Sequence, residues 1–487
     1  MNLFVKLFII LFIFNIFSCP SKALDILYPQ QKQHKTSSDV TYIMGNVAPS
    51  SSLIINGEKV KVWHNGAFCK TVRLDKGLNT FRITEINGKD SKSEEYNVNR
   101  IYFSSTPSSK SVPKTDNFTS LKYALVKTDF APVRETYSTD AERITHLPEN
   151  TVLFLEGKYK DWYKISTGED NSQYWINNKN VRILYPINNH PLASVQNVDY
   201  TKNEMFSEIR ITLDFPVMYK TREKNNDIYL TVFGIKNTPF LENTIAEQSI
   251  FTGLKIVSRE NGNLTVLIPS DEPLWGYQAF YEKNVFIFRK RNVPEINKNY
   301  PLKNLVIAVD PGHGGKELGA VGPTRIPEKD INLAISKELK FFLEKEGAKV
   351  IMTRDDDSQV DLYARPDIAN KNNAIICLSV HSNSIVDKDP YEKHGAGTYY
   401  YHSQAKELAD QIRLRMVKDL KLKNDGLFRR SFVLTRPTMP LSVLIEVAYM
   451  PNPQEYIMLT NPRFQKRAAK SICEGLKNYI RNTELTK

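Results

Sequence analysis

The hydrophobic pattern of this chain changes once, near Leu305, and that change limits the fold more than any other feature. Before it, apolar and polar residues alternate over short runs such as "EIRITLDF" and "DIYLTVFGI". That is the period of strands with one face in a core and the other in water. After it, "LVIAV", "AIICLSV" and "SVLIEVA" are apolar without alternation, as strands covered on both faces are. Helical spacing lies between these runs. Ile331, Ile335, Leu339, Phe342 and Leu343 share one face of a helix that Gly347 ends. Leu408, Ile412 and Met416 form a second stripe, and residues 462–480 read as a last helix. Strands alternating with helices predict an α/β domain over 303–482, with a mostly parallel twisted sheet flanked by helices. At 487 residues the chain exceeds one ordinary core, so the fold class is multidomain: all-β modules first, then the α/β domain.

The first residues, "MNLFVKLFIILFIFNIFSCPSKALD", place one cation, Lys6, before an apolar run from Leu7 to Phe17. The run is short for a bilayer span, and "SKA" at 21–23 has the small residues of a cleavage site. We read residues 1–23 as an export signal cut near Ala23, with an uncleaved anchor or a lipid on Cys19 as alternatives. No later stretch is apolar enough to make a stable membrane span, so the expected location is the periplasm or cell envelope. The net charge of +12 comes from lysines scattered among acids, without an arginine-rich stripe. This excludes nucleic acid as the expected partner and suits an anionic envelope polymer. After the signal, Cys69, Cys377 and Cys473 lie too far apart for a disulfide framework or a thiolate metal site.

The alternating region divides at polar segments. Residues 24–38 read as a linker. Residues 39–103 hold short strands with "NG" turns, and "INGEKVKV" and "GLNTF" resemble immunoglobulin-like β-sandwich modules of bacterial surface proteins. A Ser/Pro/Lys-rich linker at 105–120 follows. Residues 121–185 resemble a bacterial Src-homology-3-like barrel through "PVR", "DWYKI" and "YWINNKNVRIL". Its Trp162 and Trp175 are read as barrel packing, with a peptide groove as the alternative. Residues 192–291 are similar to the AMIN modules that precede cell-wall amidases, and 292–304 is the next linker.

In the α/β segment, ligands sit at the carboxyl ends of strands. His313 follows "LVIAV" within a glycine-rich turn, His381 follows "AIICLSV", and Glu446 lies near the end of "SVLIEVA". Glu328 opens a helix, with Pro327 in the role of a first-turn proline. Two imidazoles and a carboxylate suit a catalytic zinc with one open position, and a second carboxylate suits a general base. The bland readings are also available: histidines hydrogen-bonded after strands, and Glu328 serving the helix dipole. Glu446 resists them, since burying a carboxylate is costly without a partner or a role. Spacing alone leaves both readings open.

A resemblance favours the first. "VDPGHGG", "PEKDINLAI", "VIMTRDDD", "LYARPDIAN", "LSVHSNS" and "FVLTRPTMPLSVLIEVAYMPNPQE" resemble, in order and type, the zinc-dependent N-acetylmuramoyl-L-alanine amidases over 305–481. The resemblance implies zinc held by His313, Glu328 and His381, with Glu446 as the catalytic carboxylate. It implies supporting or substrate-binding roles for Asn383 and Arg365. The expected activity is hydrolysis of the amide between N-acetylmuramic acid and L-alanine in peptidoglycan. An activator protein is a second expected partner. The alternatives are an inactive peptidoglycan-binding module and a zinc peptidase acting within the stem peptide. Pro366 stands where the family pattern continues a helix, and the segment after "GTYYYH" leaves no room for an autoinhibitory helix.

Overall fold

The three unalternated runs lie at the centre of one six-stranded sheet. The computed structural model describes residues 24–101, 115–168, 173–187, 191–236, 250–270 and 272–485. The expected export signal, with Cys19 and Ala23, and most of the 105–120 linker lie outside the described residues. The elements of the last segment are β1 (Val306–Pro311), α1 (Glu328–Lys345), β2 (Lys349–Met352) and α2 (Ala364–Lys371). Then come β3 (Ile376–Asn383), β4 (Ala396–Tyr400), α3 (Lys406–Leu420), β5 (Asn424–Arg429), β6 (Leu441–Tyr449), α4 (Pro453–Leu459) and α5 (Pro462–Leu485). The strand order is β2-β1-β3-β6-β4-β5. The first four strands run parallel, while β4 is antiparallel to β6 and carries β5 parallel to itself. The reversal needs no crossover helix: the loop from 384 to 395 returns β4 in the opposite direction.

Apolar runs without alternation are explained by cover on both faces. Ile331, Ile335, Leu339, Leu408, Ile412, Met416, Ile472 and Leu476 pack with Ile307, Leu378 and Ile445 in one buried cluster. The intervening Ala308 and Cys377 point the other way and meet Ala369 of α2. Phe342, expected on the buried stripe, sits at its edge and is half-buried. Pro327 is the cap before Glu328 rather than a residue of the first turn. Pro366 does not interrupt a helix, because it occupies the first turn of α2, where its missing N–H has no helical partner.

Residues 24–38 are not a linker. Asp25–Tyr28 pairs with Val40–Asn46, and Gln33–Thr36 runs parallel to residues 97–100, so both belong to the first β unit. That unit stacks a three-stranded sheet on a five-stranded one around Ile43, Leu53, Phe68, Ile83 and Val98. Strands between Asp116 and Ile187 form a seven-stranded sheet. Trp162 and Trp175 are buried in it, the second with its ring edge against Tyr137. Residues 195–291 supply two four-stranded sheets. Val133, Leu147 and Leu155 of the seven-stranded sheet share a buried cluster with Ile209, Val217 and Leu230 of the next unit.

The β units are also joined to the α/β sheet. Trp275, 2% exposed, enters the α/β core and tilts against Tyr479 with ring centroids 6.1 Å apart. Backbone bonds link Tyr277 N to Thr438 O at 3.1 Å, and Arg291 donates to Ala374 O at 3.2 Å. The first unit meets the loop after β3. Tyr28 and Thr41 hydroxyls each donate to Asp387 at 2.7 Å, with His34 at 3.0 Å from the same carboxylate. Arg325 clasps Asp25 through two bonds of 2.6 Å. Among the described residues no helix is long and apolar enough to cross a membrane. Trp275→Ala should cost about 3–5 kcal/mol of stability by opening a cavity between the units. Denaturant unfolding of the full chain checks this, and a loss under about 1 kcal/mol would show that the join is not part of the core.

Candidate metal centre

At the end of β1 the chain turns through Gly312, His313, Gly314 and Gly315. His313 has φ 63°, a left-handed conformation that a non-glycine residue adopts only when its surroundings hold it there. Two arginines do so. Arg354 donates through Nε to Pro311 O and through Nη2 to Gly312 O, both at 3.0 Å. Arg365 donates to Pro311 O at 2.9 Å and to His313 O at 2.8 Å. It also pairs with Asp310 at 2.8 Å, and Asp310 accepts from Thr353 at 2.6 Å and Ser379 at 2.7 Å. Gly312 is glycine for a spatial reason: a Cβ there would overlap the His381 ring.

The turn brings His313 beside the start of α1. Nε2 of His313 lies 3.2 Å from one oxygen of Glu328, and Nδ1 of His381 lies 3.1 Å from the other. The two imidazoles are 5.0 Å apart and nearly perpendicular. One donor atom from each of the three residues falls within 4.8 Å of the others. Backbone N–H groups hold Glu328 from Ala320 at 2.9 Å and Ser382 at 3.2 Å, and Asn332 donates to it at 3.0 Å. Burial works against ionising Glu328, but hydrogen bonds and charge from His313 and His381 outweigh it and hold the carboxyl far below the usual range.

Glu446 stands directly across from His381 in the β3–β6 register. Thr398 donates to Ala409 O in α3, so its neighbours Gly397 and Tyr399 face the other side of the sheet. Gly397 pairs with Glu446, which therefore shares that open side with His381. Oε2 of Glu446 is buried without a hydrogen-bond partner. Burial, reinforced by the charges of Glu328 and Asp425, pushes its carboxyl well above the usual range. Two imidazole nitrogens and one carboxylate oxygen are a donor set that could hold a divalent metal ion such as zinc, and the Glu446 carboxylate lies on the same side of the sheet.

Of the residues expected from sequence, His313, Glu328 and His381 come together and Glu446 lies beside them. Asn383 sits at the rim, next to the Tyr399 hydroxyl. Arg365 is 2% exposed and grips the backbone of the turn, so it is a positioning residue and not a substrate contact. Sequence reading assigned no role to Asn332, Arg354, Tyr399 or Asp425. Asn332 carried a signal, since it stands one helical turn after Glu328; the others meet the site only through the fold.

Residues 307–478 match the family model described as N-acetylmuramoyl-L-alanine amidase. The probable cell wall amidase LytH of Staphylococcus aureus is 36% identical over 182 residues, 37% of this chain and 60% of that protein. The chain therefore spans 60% of the length of the curated relatives that it matches. Among solved structures, the amidase AmiC2 of Nostoc punctiforme is 35% identical, covering 36% of this chain and 97% of that one, with a TM-score of 0.35. The CwlD amidase of Clostridioides difficile, solved with the GerS lipoprotein, is 30% identical over 37% of this chain and 100% of that one, with a TM-score of 0.33. Gly312→Ala should displace His381 and weaken binding of a divalent metal by about tenfold or more while the fold persists. Cobalt titration with far-ultraviolet dichroism measures both, and unchanged affinity would remove the close approach from this account.

Proposed function

We propose, from the premise that residues 307–478 are a domain of the N-acetylmuramoyl-L-alanine amidase family, that this chain hydrolyses the amide joining N-acetylmuramic acid to L-alanine in peptidoglycan. The observation that carries the reading is the His313–Glu328–His381 cluster with Glu446 across from His381 on the same open face. Zinc held by the three ligands would polarise the scissile carbonyl and lower the pKa of water there. Glu446 accepts the proton of the attacking water and passes it to the leaving amine of alanine. Glu328, held by Ala320, Ser382 and Asn332, stays ionised as a ligand. Arg354 and Arg365 keep His313 in its strained turn, which sets the distance between imidazole and carboxylate. Asn383 and Tyr399 border the cleft and are placed to bind substrate amides and hydroxyls.

The remaining assignments follow this reading. Residues 1–23 direct export, and the enzyme works in the periplasm or cell envelope. The immunoglobulin-like unit, extended back from 39–103 to include the strands of 25–36, and the Src-homology-3-like and AMIN-like units at 121–185 and 192–291 hold or orient the wall polymer around the catalytic domain at 303–482. The net charge of +12 favours retention on anionic wall material.

Incubation of the full chain with purified peptidoglycan, with and without chelator, tests the reaction. New amino termini should be alanine, should vanish with chelator and should return with zinc. A different new terminal residue would mean a peptidase, and bound wall without release would mean a binding module. Glu446→Gln should retain the metal and lose about 10²- to 10⁴-fold in turnover. Near-normal turnover in that variant would remove Glu446 from the proton path.

A further inference from the structure

A second cluster of charged groups lies where the seven-stranded sheet meets the α/β domain. Arg134 and Arg143 are cross-strand partners in the pair Ala131–Arg134 and Arg143–Leu147. Like charges directly opposite destabilise a sheet, so the pairing invites an explanation. Arg134 is 6% exposed; one Nη donates to Ala141 O, and its buried Nε has no partner. Arg436, in the loop before β6, is held by Ser431 through Oγ and the carbonyl, both at 3.1 Å. Arg143 lies 3.3 Å from Nε2 of His146. Among the described residues none of the three has a carboxylate within ion-pair distance, although Asp140 acts on Arg134 from farther off. The adjacent Glu142 is engaged elsewhere, by Arg429 at 3.2 Å and the Tyr401 hydroxyl at 2.5 Å.

The three cations converge. Burial, then the charges of Arg143, Arg436 and Arg134, push the His146 imidazole down to about 4. Arg134 and Arg436 are themselves lowered, each by burial and then by Arg143. Tyr363, an exposed residue, stands in the field of both Arg134 and Arg436. It lies two residues before Arg365, whose Nη2 holds the His313 carbonyl. On the other flank, Phe432 of the Arg436 loop packs on Tyr399 at 5.3 Å, and Tyr399 lies on the open face with Glu446. The arginine cluster thus borders the same face as the metal centre.

We propose that Arg134, Arg143 and Arg436 form a carboxylate-binding site that receives the stem peptide beyond the scissile amide. This rests on the amidase reading. Planar guanidinium forks match carboxylates in two-point contacts, and a carboxylate bound at the less buried Arg143 and Arg436 would offset the repulsion between the strands. A phosphate has similar acceptors. The peptide is preferred because the loop that carries Arg436 also packs Phe432 on Tyr399, beside Glu446 on the face of the metal-ligand cluster.

The test uses the full chain with two soluble muramoyl-peptide substrates, one with free carboxylates and one with them amidated. Arg143→Gln and Arg436→Gln, at sites less buried than Arg134, should each raise KM for the acidic substrate about tenfold while kcat stays within about twofold. KM for the amidated substrate should not change, and Arg143→Lys should restore part of the loss. Equal losses on both substrates, or none on either, would overturn the site. In parallel, an alanine-led acidic tetrapeptide and inorganic phosphate are titrated into the wild type and the variants. Weaker tetrapeptide binding in the variants upholds the site even if no substrate is hydrolysed, in which case only the amidase reading falls. Tighter binding of phosphate than of tetrapeptide, lost in the same variants, would overturn the peptide assignment.

Discussion

The His313–Glu328–His381 cluster depends on an ion pair that water scarcely reaches. Asp310 and Arg365 meet at 2.8 Å with side chains 1% and 3% exposed. Such a pair gains little net stability, because two charges must first be desolvated. Its value here is positional. Thr353 and Ser379 occupy the other lone pairs of Asp310, which leaves Arg365 free to reach the carbonyls of Pro311 and His313. Arg354 closes the other side of the same turn. A histidine at φ 63° is therefore held by four hydrogen bonds to its own loop's carbonyls, and its imidazole is delivered to Glu328 in one orientation.

Rigidity extends outward from that turn through units that composition alone would separate. Asp387 lies in the loop that leaves β3 just after His381 and Asn383. Burial opposes its ionisation, but donors from Tyr28 and Thr41, with Thr36 and His34, hold it charged. The first β unit thus fixes one border of the cleft. The seven-stranded sheet forms another, through Glu142 on Arg429 and Tyr401. Glu223 of the following unit adds a third tie, to His402 and Ser403. Polar seams of this kind specify orientation, while Trp275 supplies the apolar anchor.

What the sequence disclosed follows from how locally each feature is encoded. Apolar runs and helical stripes are local, and they located the central strands and the long helices. The residue types and strand-end positions of His313, His381 and Glu446 are local as well, although only resemblance chose the metal reading over the bland one. Non-local pairing was hidden. "DILY" and "QHKT" are too short to announce themselves as strands, and the second pairs in parallel with residues 60 or more positions away. The reversal of β4 and β5 has no sequence mark, since direction is set by the loop before them. Arg365 reads in its motif as either a supporting or a substrate residue, and the brace it forms in the fold is hidden because its partners lie 52 to 55 positions back.

Charge along the open face gives the cleft a direction. At one end Glu328, Glu446 and Asp425 gather, and the Glu446 carboxyl is raised by burial first and then by the other two charges. A divalent cation at that end would neutralise the excess and return Glu446 toward its ionised form. At the other end three guanidiniums gather, none with a carboxylate at ion-pair distance among the described residues, and the His146 imidazole is lowered by burial first and then by their charges. A ligand with a neutral amide at one end and carboxylates at the other complements this gradient in one orientation only. The reversed ligand would place carboxylates against Glu446 and leave the arginine cluster without a counter-charge, unfavourable at both ends. If the amidase and arginine-site proposals hold, the two clusters together would set the direction of binding, one from the α/β sheet and one shared with the β unit that precedes it.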